Sequence, residues 1–156
     1  RGAAEVLLSE YRPQRADPGA NVLLASAVCG LVVAGDGAQA ETWLPVLATG
    51  LRASMTNPLW RDVPQIGSST LAVGLLLSRD PETANQGALL LECADRFRVR
   101  RDYPAIDEAL RRRRTFSGVD DQTWESIVQH TAASSRRRLT GEIVDLLDQR
   151  FGEPLR

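Results

Sequence analysis

Apolar and small residues recur along this chain at helical spacing. In "DQTWESIVQHTAASSR" they fall at Trp124, Ile127, Val128, Thr131, Ala132 and Ser135, the successive positions of one helix face. In "PETANQGALLLECADRF" the stripe is Ala84, Gly87, Ala88, Leu91, Ala94 and Phe97. In "LTGEIVDLLDQRF" it is Leu139, Ile143, Leu146, Leu147 and Phe151, and Ile106, Ala109 and Leu110 give a shorter amphipathic turn pair. Val22–Ala34 and Ile66–Ser78 are apolar on nearly all sides, the pattern of helices covered by neighbours. No run alternates like an exposed strand, and "GLVVAG" sits in an apolar context longer than a typical strand.

Polar punctuation divides these stripes. Asp17-Pro18 reads as an N-cap with proline at the first helical position, and Asp80-Pro81-Glu82 repeats that signal with an acid in the first turn. Asp36 with Gln39 is a variant capping box. Asp120 precedes another helix, Pro104 opens a short one, and Thr140 is a cap candidate for the last. The pattern predicts about eight helices, near 3–11, 19–35, 37–54, 62–79, 81–100, 104–114, 120–138 and 140–151. "SMTNPLWRDVP" and "TFSGVDD" are the longer connections.

A repeat emerges when Asp36 is laid on Asp80, an offset of 44 residues. Gly30 then meets Gly74, Leu31 meets Leu75, and Val32-Val33 meet Leu76-Leu77. Ala40 meets Ala84, Val46 meets Leu90, Leu47 meets Leu91, and Arg52 meets Arg96. Each unit reads as two helices joined by a tight turn holding an Asp cap. Stacked hairpins of this kind bury each face on the next. The predicted fold is therefore all-α, a right-handed α-solenoid of stacked tetratricopeptide-like hairpins forming one domain over residues 1–156. An irregular helical bundle is the alternative.

Composition supports helices over a sandwich. Apolar residues make up 43% but aromatics only 5%, so small aliphatics must fill a core that a helix pair packs well. The net charge of -1 offers no global basic field for nucleic acid. All 19 basic residues are arginine, which together with the alanine content suggests a GC-rich genome. Cys29 and Cys93 lie in apolar stretches and read as buried free thiols of a reducing cytosol. The first residues, "RGAAEVLLSEYR", lack the apolar core of a signal peptide, and no apolar run is long enough to span a bilayer. The chain opens inside what reads as a helix, so a fragment of a longer protein is expected.

The sequence carries no phosphate-binding P-loop, no dinucleotide glycine pattern and no nucleophile elbow. His130 is the only histidine and reads as an ordinary helical residue, not a base or metal ligand. Asp120-Asp121 reads as a cap and first-turn acid, and Glu142 and Asp145 as solvated. No enzyme, cofactor or metal is expected. The arginines cluster at 96–101, at 111–114 and at 136–138, each read as the end of a helix where cations complement the dipole. The functional alternative is a basic surface for an acidic partner segment, RNA polymerase or DNA phosphate. No stacking aromatics interleave with these arginines, so direct nucleic-acid binding is not expected. Arg111, Arg112, Arg136 and Arg137 are the candidate partner-binding residues.

"LAVGLLLSRDPETANQGALLLECADRFR" resembles a helical hairpin near the C-terminus of large actinobacterial transcriptional regulators. In those proteins a leucine- and alanine-rich helix ends in a Gly-Asp-Pro-Glu-like turn before a second such helix. Here the turn is Arg79-Asp80-Pro81-Glu82. The order continues through Tyr103–Arg114, Trp124 in "DDQTWESIVQH", and "LTGEIVDLLDQ", so the likeness runs from about Ser69 to Asp148. Glu92-Cys93 stands where Gly-Ala is usual, and Ile143-Val144 replaces an acidic-alanine pair. The family comprises antibiotic-regulator-type activators with a bacterial transcriptional activator domain, and large LuxR-type regulators. The resemblance implies a cytoplasmic, non-catalytic regulatory array that contacts other domains of its own polypeptide or a transcription partner. A helical adaptor unrelated to transcription, or a small-molecule-binding helical sensor, are the alternatives.

Overall fold

A computed structural model describes residues 18–57 and 66–152. Its elements are α1 (Pro18–Val33), α2 (Gly37–Ala40), a 3-10 turn (Glu41–Trp43), α3 (Leu44–Thr56), α4 (Ile66–Leu77), α5 (Ala84–Cys93), a second 3-10 turn (Ala94–Arg96), α6 (Pro104–Arg111), α7 (Arg113–Phe116), α8 (Asp121–Ala133) and α9 (Arg136–Phe151). The fold is all-α, with no strand among the described residues. The helix expected near 3–11 lies outside them, as does Asp17, although α1 does begin at Pro18.

The helices apolar on every side become the centre. All of α4 is buried, and it packs on α1, α3 and α5. In α1 the buried set includes Val22, Leu24, Val28, Leu31 and Val32, while Leu23 stands 41% exposed. The amphipathic stripes face this centre as their spacing requires. Leu139, Ile143, Leu146 and Leu147 are the buried residues of α9, and Ile106, Ala109 and Leu110 those of α6. The Trp124 stripe fits less well. Trp124, Ile127 and Val128 are half-buried, Ala132 and Ser135 are exposed, and Thr131 and Ser134 are the buried positions. α8 lies on the outer side of α5, so only its C-terminal part turns inward.

The two halves of the 44-residue repeat share part of their burial, since Val33 and Val46 are half-buried where their partners Leu77 and Leu90 are buried. Leu31 and Leu75, Ala40 and Ala84, and Leu47 and Leu91 are all buried. Their turns differ. After α1, Gly35 takes a φ of 87°, its N–H reaches the Val32 carbonyl, and the Asp36 N–H reaches that of Leu31. This is a Schellman closure, and it needs the left-handed conformation that glycine adopts freely. Asp36 makes no side-chain cap bond to the short α2. After α4, the Asp80 carboxylate accepts from the Glu82 N–H at 3.0 Å, and the Thr83 hydroxyl donates to the Leu77 carbonyl at 2.6 Å. That Asx turn delays α5 to Ala84, so the helix expected to start at Pro81 begins three residues later. Arg79 crosses between the turns to Glu41 at 3.0 Å.

The repeated glycines also part company. Gly30 approaches Ala105 on α6, whereas Gly74 crosses Gly87 and Leu90 on α5. The α4–α5 crossing is the tighter one. A Cβ on Gly87 would lie 2.6 Å from the Ser78 backbone nitrogen. Contacts between successive hairpins are joined by two that return along the chain, α6 on α1 and α9 on α3. Arg52 of α3 fixes the second of these by pairing with Asp148.

Candidate functional site

Local chemistry separates the two arginine groups that the sequence singled out. Arg111 ends α6 as expected and pairs with Asp107 at 3.1 Å and with Glu108. Arg112 interrupts the helix, reaches Glu108 at 3.6 Å, and lies 4.9 Å over the Phe116 ring. Arg113 donates to the Leu110 carbonyl at 2.9 Å and stands 3.7 Å from Glu92. Arg114 bonds Ser117 at 2.7 Å, pairs with Asp121, and covers Trp124. Every charge in this cluster is answered by a carboxylate nearby. Such exposed pairs contribute about 0–1 kcal/mol each and leave little free field.

The second cluster is placed otherwise than expected. The helix that starts at Asp121 ends at Ala133, and Arg136–Arg138 form the first turn of α9 instead of the last turn of α8. Ser135 is the cap. Its hydroxyl accepts from the Arg138 N–H at 3.1 Å, a bond of about 1 kcal/mol. Thr140 is no cap, because its hydroxyl bonds back to the Arg136 carbonyl inside the helix. Three cations therefore crowd the positive end of a helix dipole, which disfavours each by about 0.3–1 kcal/mol when exposed.

The charge that complements the C-terminus of α8 comes from another element. Arg96 donates to the Thr131 carbonyl at 2.6 Å and to the Ser134 carbonyl at 3.1 Å. It thereby ties the 3-10 turn after α5 to the α8–α9 corner, as its repeat partner Arg52 ties α3 to α9. Arg96→Gln is expected to lower stability by about 1 kcal/mol, a modest figure because the side chain is largely exposed. A denaturant titration against Arg111→Gln, expected within about 0.5 kcal/mol of the parent, checks it.

Around Phe97, which is 4% exposed, the arginines lack carboxylate partners. Arg136 lies 5.2 Å over the Phe97 ring, and its Nη2 is buried with no hydrogen-bond partner. Arg98, Arg137 and Arg138 are exposed and enter no ion pair among the described residues. Arg100 and Arg101 differ, being held by Asp102 and Asp95. Beside this group lies a cleft of about 430 Å³ lined by Met55, Ile66, Phe97, Arg136, Arg137, Thr140 and Gly141. It joins α3, α4, the segment after α5, and α9. Of the four candidate partner-binding residues, Arg136 and Arg137 line it, whereas Arg111 and Arg112 belong to the neutralised cluster.

The remaining titratable groups tie helices together. Asp120 caps α8 by accepting from the Thr123 N–H at 2.7 Å, which holds its carboxyl below the usual range. His130 Nε2 meets Glu142 at 2.8 Å across α8 and α9, so Glu142 is half-buried and paired and not simply solvated. Cys29 and Cys93 are free and buried, and burial pushes both thiols up to about 12, so neither is a ready nucleophile. Among the described residues no cluster of side chains could hold a metal ion, and no helix is long and apolar enough to cross a membrane.

Glu92 offers a pH test. Burial raises its carboxyl above the ordinary glutamate value of 4.5, against the opposing pull of the Arg113 guanidinium. A raised folded value means that its contribution to stability is fully present below the unfolded value and is lost as pH rises through the folded one. Glu92→Gln should remove that decline from the stability-versus-pH curve above the ordinary glutamate value. Thermal unfolding across that range, parent against variant, measures the difference.

No family model, curated protein or solved structure matches the chain.

Proposed function

We propose that this chain is a non-catalytic, tetratricopeptide-like module of a bacterial transcriptional regulator. In this reading its stacked hairpins form a right-handed solenoid that docks, in the cytoplasm, on other domains of its own polypeptide or on a transcription partner. The observation that carries the reading is the matched pair of hairpins. Leu31 and Leu75, Ala40 and Ala84, and Leu47 and Leu91, each pair 44 residues apart, are buried alike, and Arg52 of α3 and Arg96 of the turn after α5 both reach to the elements that close the array. Repeats of this kind present an extended rigid surface, which suits docking better than it suits chemistry. The resemblance from Ser69 to Asp148 supplies the transcriptional context.

The mechanism in this reading is a shift between two docked arrangements. A partner or effector that binds one arrangement more tightly moves the population toward it, by no more than its difference in affinity. A helical adaptor outside transcription would use the same surface. The polypeptide around this segment separates the two, since a DNA-binding region and an NTPase core upstream are expected only of the regulator. A reporter assay on the full-length polypeptide, with and without this segment, tests the proposal together with capture of the other domains by the isolated segment. Altered output and capture are expected. Unchanged regulation after deletion would sink it.

A further inference from the structure

We infer that the cleft at the start of α9 is a binding site for a small organic anion with an apolar body, such as a medium-chain carboxylate. The inference stands on the cleft's own geometry and does not depend on the transcriptional reading.

Three features converge there. The volume of about 430 Å³ is that of a small-molecule site. Its apolar wall is Met55, Ile66 and Phe97, three side chains from separate elements that are each nearly buried. Its polar wall is Arg136, Arg137 and the Thr140 hydroxyl, with no carboxylate among the described lining residues. The chain as a whole has a net charge of -1, so this is a local excess of positive charge and not part of a general basic field.

The arginines there are also unspent. The 111–114 cluster is neutralised by Asp107, Glu108, Glu92 and Asp121. Arg136 and Arg137 make no ion pair among the described residues, and the Arg136 guanidinium rests on the Phe97 ring. Both arginines sit where the α9 dipole opposes them, so an anion beside them relieves two unfavourable terms at once. A guanidinium offers a planar fork that matches a carboxylate. Stacking on Phe97 fixes one fork in advance, beside an apolar wall that would take the body of the same ligand. A bare inorganic anion would leave that wall unused, and an apolar molecule would leave the arginines unanswered.

Decanoate, held below its micelle concentration, is the probe, with decanol, inorganic phosphate and a short poly-glutamate peptide as comparisons. Each is titrated into the isotope-labelled chain while amide resonances are followed. Decanoate should move the signals of Phe97, Thr140 and Gly141 saturably, and more tightly than any of the other three. Arg136→Gln and Arg137→Gln should each weaken decanoate at least tenfold, with Arg111→Gln unchanged. Arg137 is exposed, so its variant reports on binding even where Arg136→Gln disturbs the fold. Equal response to decanol, tighter binding of phosphate or of the peptide, or indifference to both cleft variants would overturn the inference.

Discussion

Leu91→Ala and Leu47→Ala are each expected to lower the unfolding free energy by about 2–5 kcal/mol, and by similar amounts. Both side chains are fully buried, Leu47 at 1% and Leu91 at 0% exposure, and they occupy matching places in the second helices of the two hairpins. The loss combines the transfer of a buried isobutyl group with the cavity that the helices around it only partly close. In a chain of this size, 1 kcal/mol moves the midpoint by about 2–4 °C, so a drop of many degrees should be seen for both. Paired thermal melts measure it. A large loss at Leu91 with almost none at Leu47 would mean that the two hairpins are not structural equivalents, and the repeat would lose its physical meaning.

Gly87→Ala is the second large expected effect, and its sign is informative. In an exposed helix interior, alanine replaces glycine with a gain of about 0.5–1 kcal/mol. At Gly87 the added methyl would lie 2.6 Å from the Ser78 nitrogen and 2.9 Å from the Gly74 carbonyl. Backbone cannot swing aside as a side chain can, so α4 and α5 must separate, and overpacking of this kind costs about 1–3 kcal/mol. Gly141 faces open space, and there the same change should stabilise. Opposite shifts in the denaturation midpoint for the two variants are therefore expected. A stable Gly87→Ala variant would mean that the α4–α5 crossing is looser than its geometry states.

These two cases mark what can be read from a chain like this. The stripes of α6 and α9 were legible because one face of each helix meets the core and the opposite face meets solvent. The all-round apolar runs were legible as the central helices for the complementary reason. Helix ends were harder. Cations complement the C-terminal end of a helix dipole, so Arg136–Arg138 read as the last turn of α8 and Thr140 as the next cap. The opposite holds because Ser135 provides the cap bond, while Arg96, from the turn after α5, supplies the charge that α8 needs. No local rule contains a cation delivered from 35 residues away. The Asp80 turn was misplaced in a similar way, since its carboxylate closes an Asx turn before α5 begins.

The cleft itself was not legible at all. Met55, Ile66, Phe97 and Arg136 come from four separate segments, and only packing brings them together. The four candidate arginines are only half legible from sequence. All four residues are basic and near helix ends, but which charges are neutralised depends on Asp107, Glu108 and Asp121 folding back on 111–114. The spacing of Asp107 and Glu108 ahead of Arg111 and Arg112 was the available signal, because such pairs meet on a helix face. No comparable acid lies within a turn of Arg136 in the first turn of α9.

In the proposed reading, the most direct measurement compares two double variants in the longer regulator expected to carry this chain. Arg136→Gln with Arg137→Gln removes the charge that the fold leaves unanswered. Arg111→Gln with Arg112→Gln removes charge that it has already neutralised. With equal protein levels, transcriptional output from a reporter is expected to change in the first and stay at the parent level in the second. Output unchanged in the first, or altered equally in both, would contradict the account.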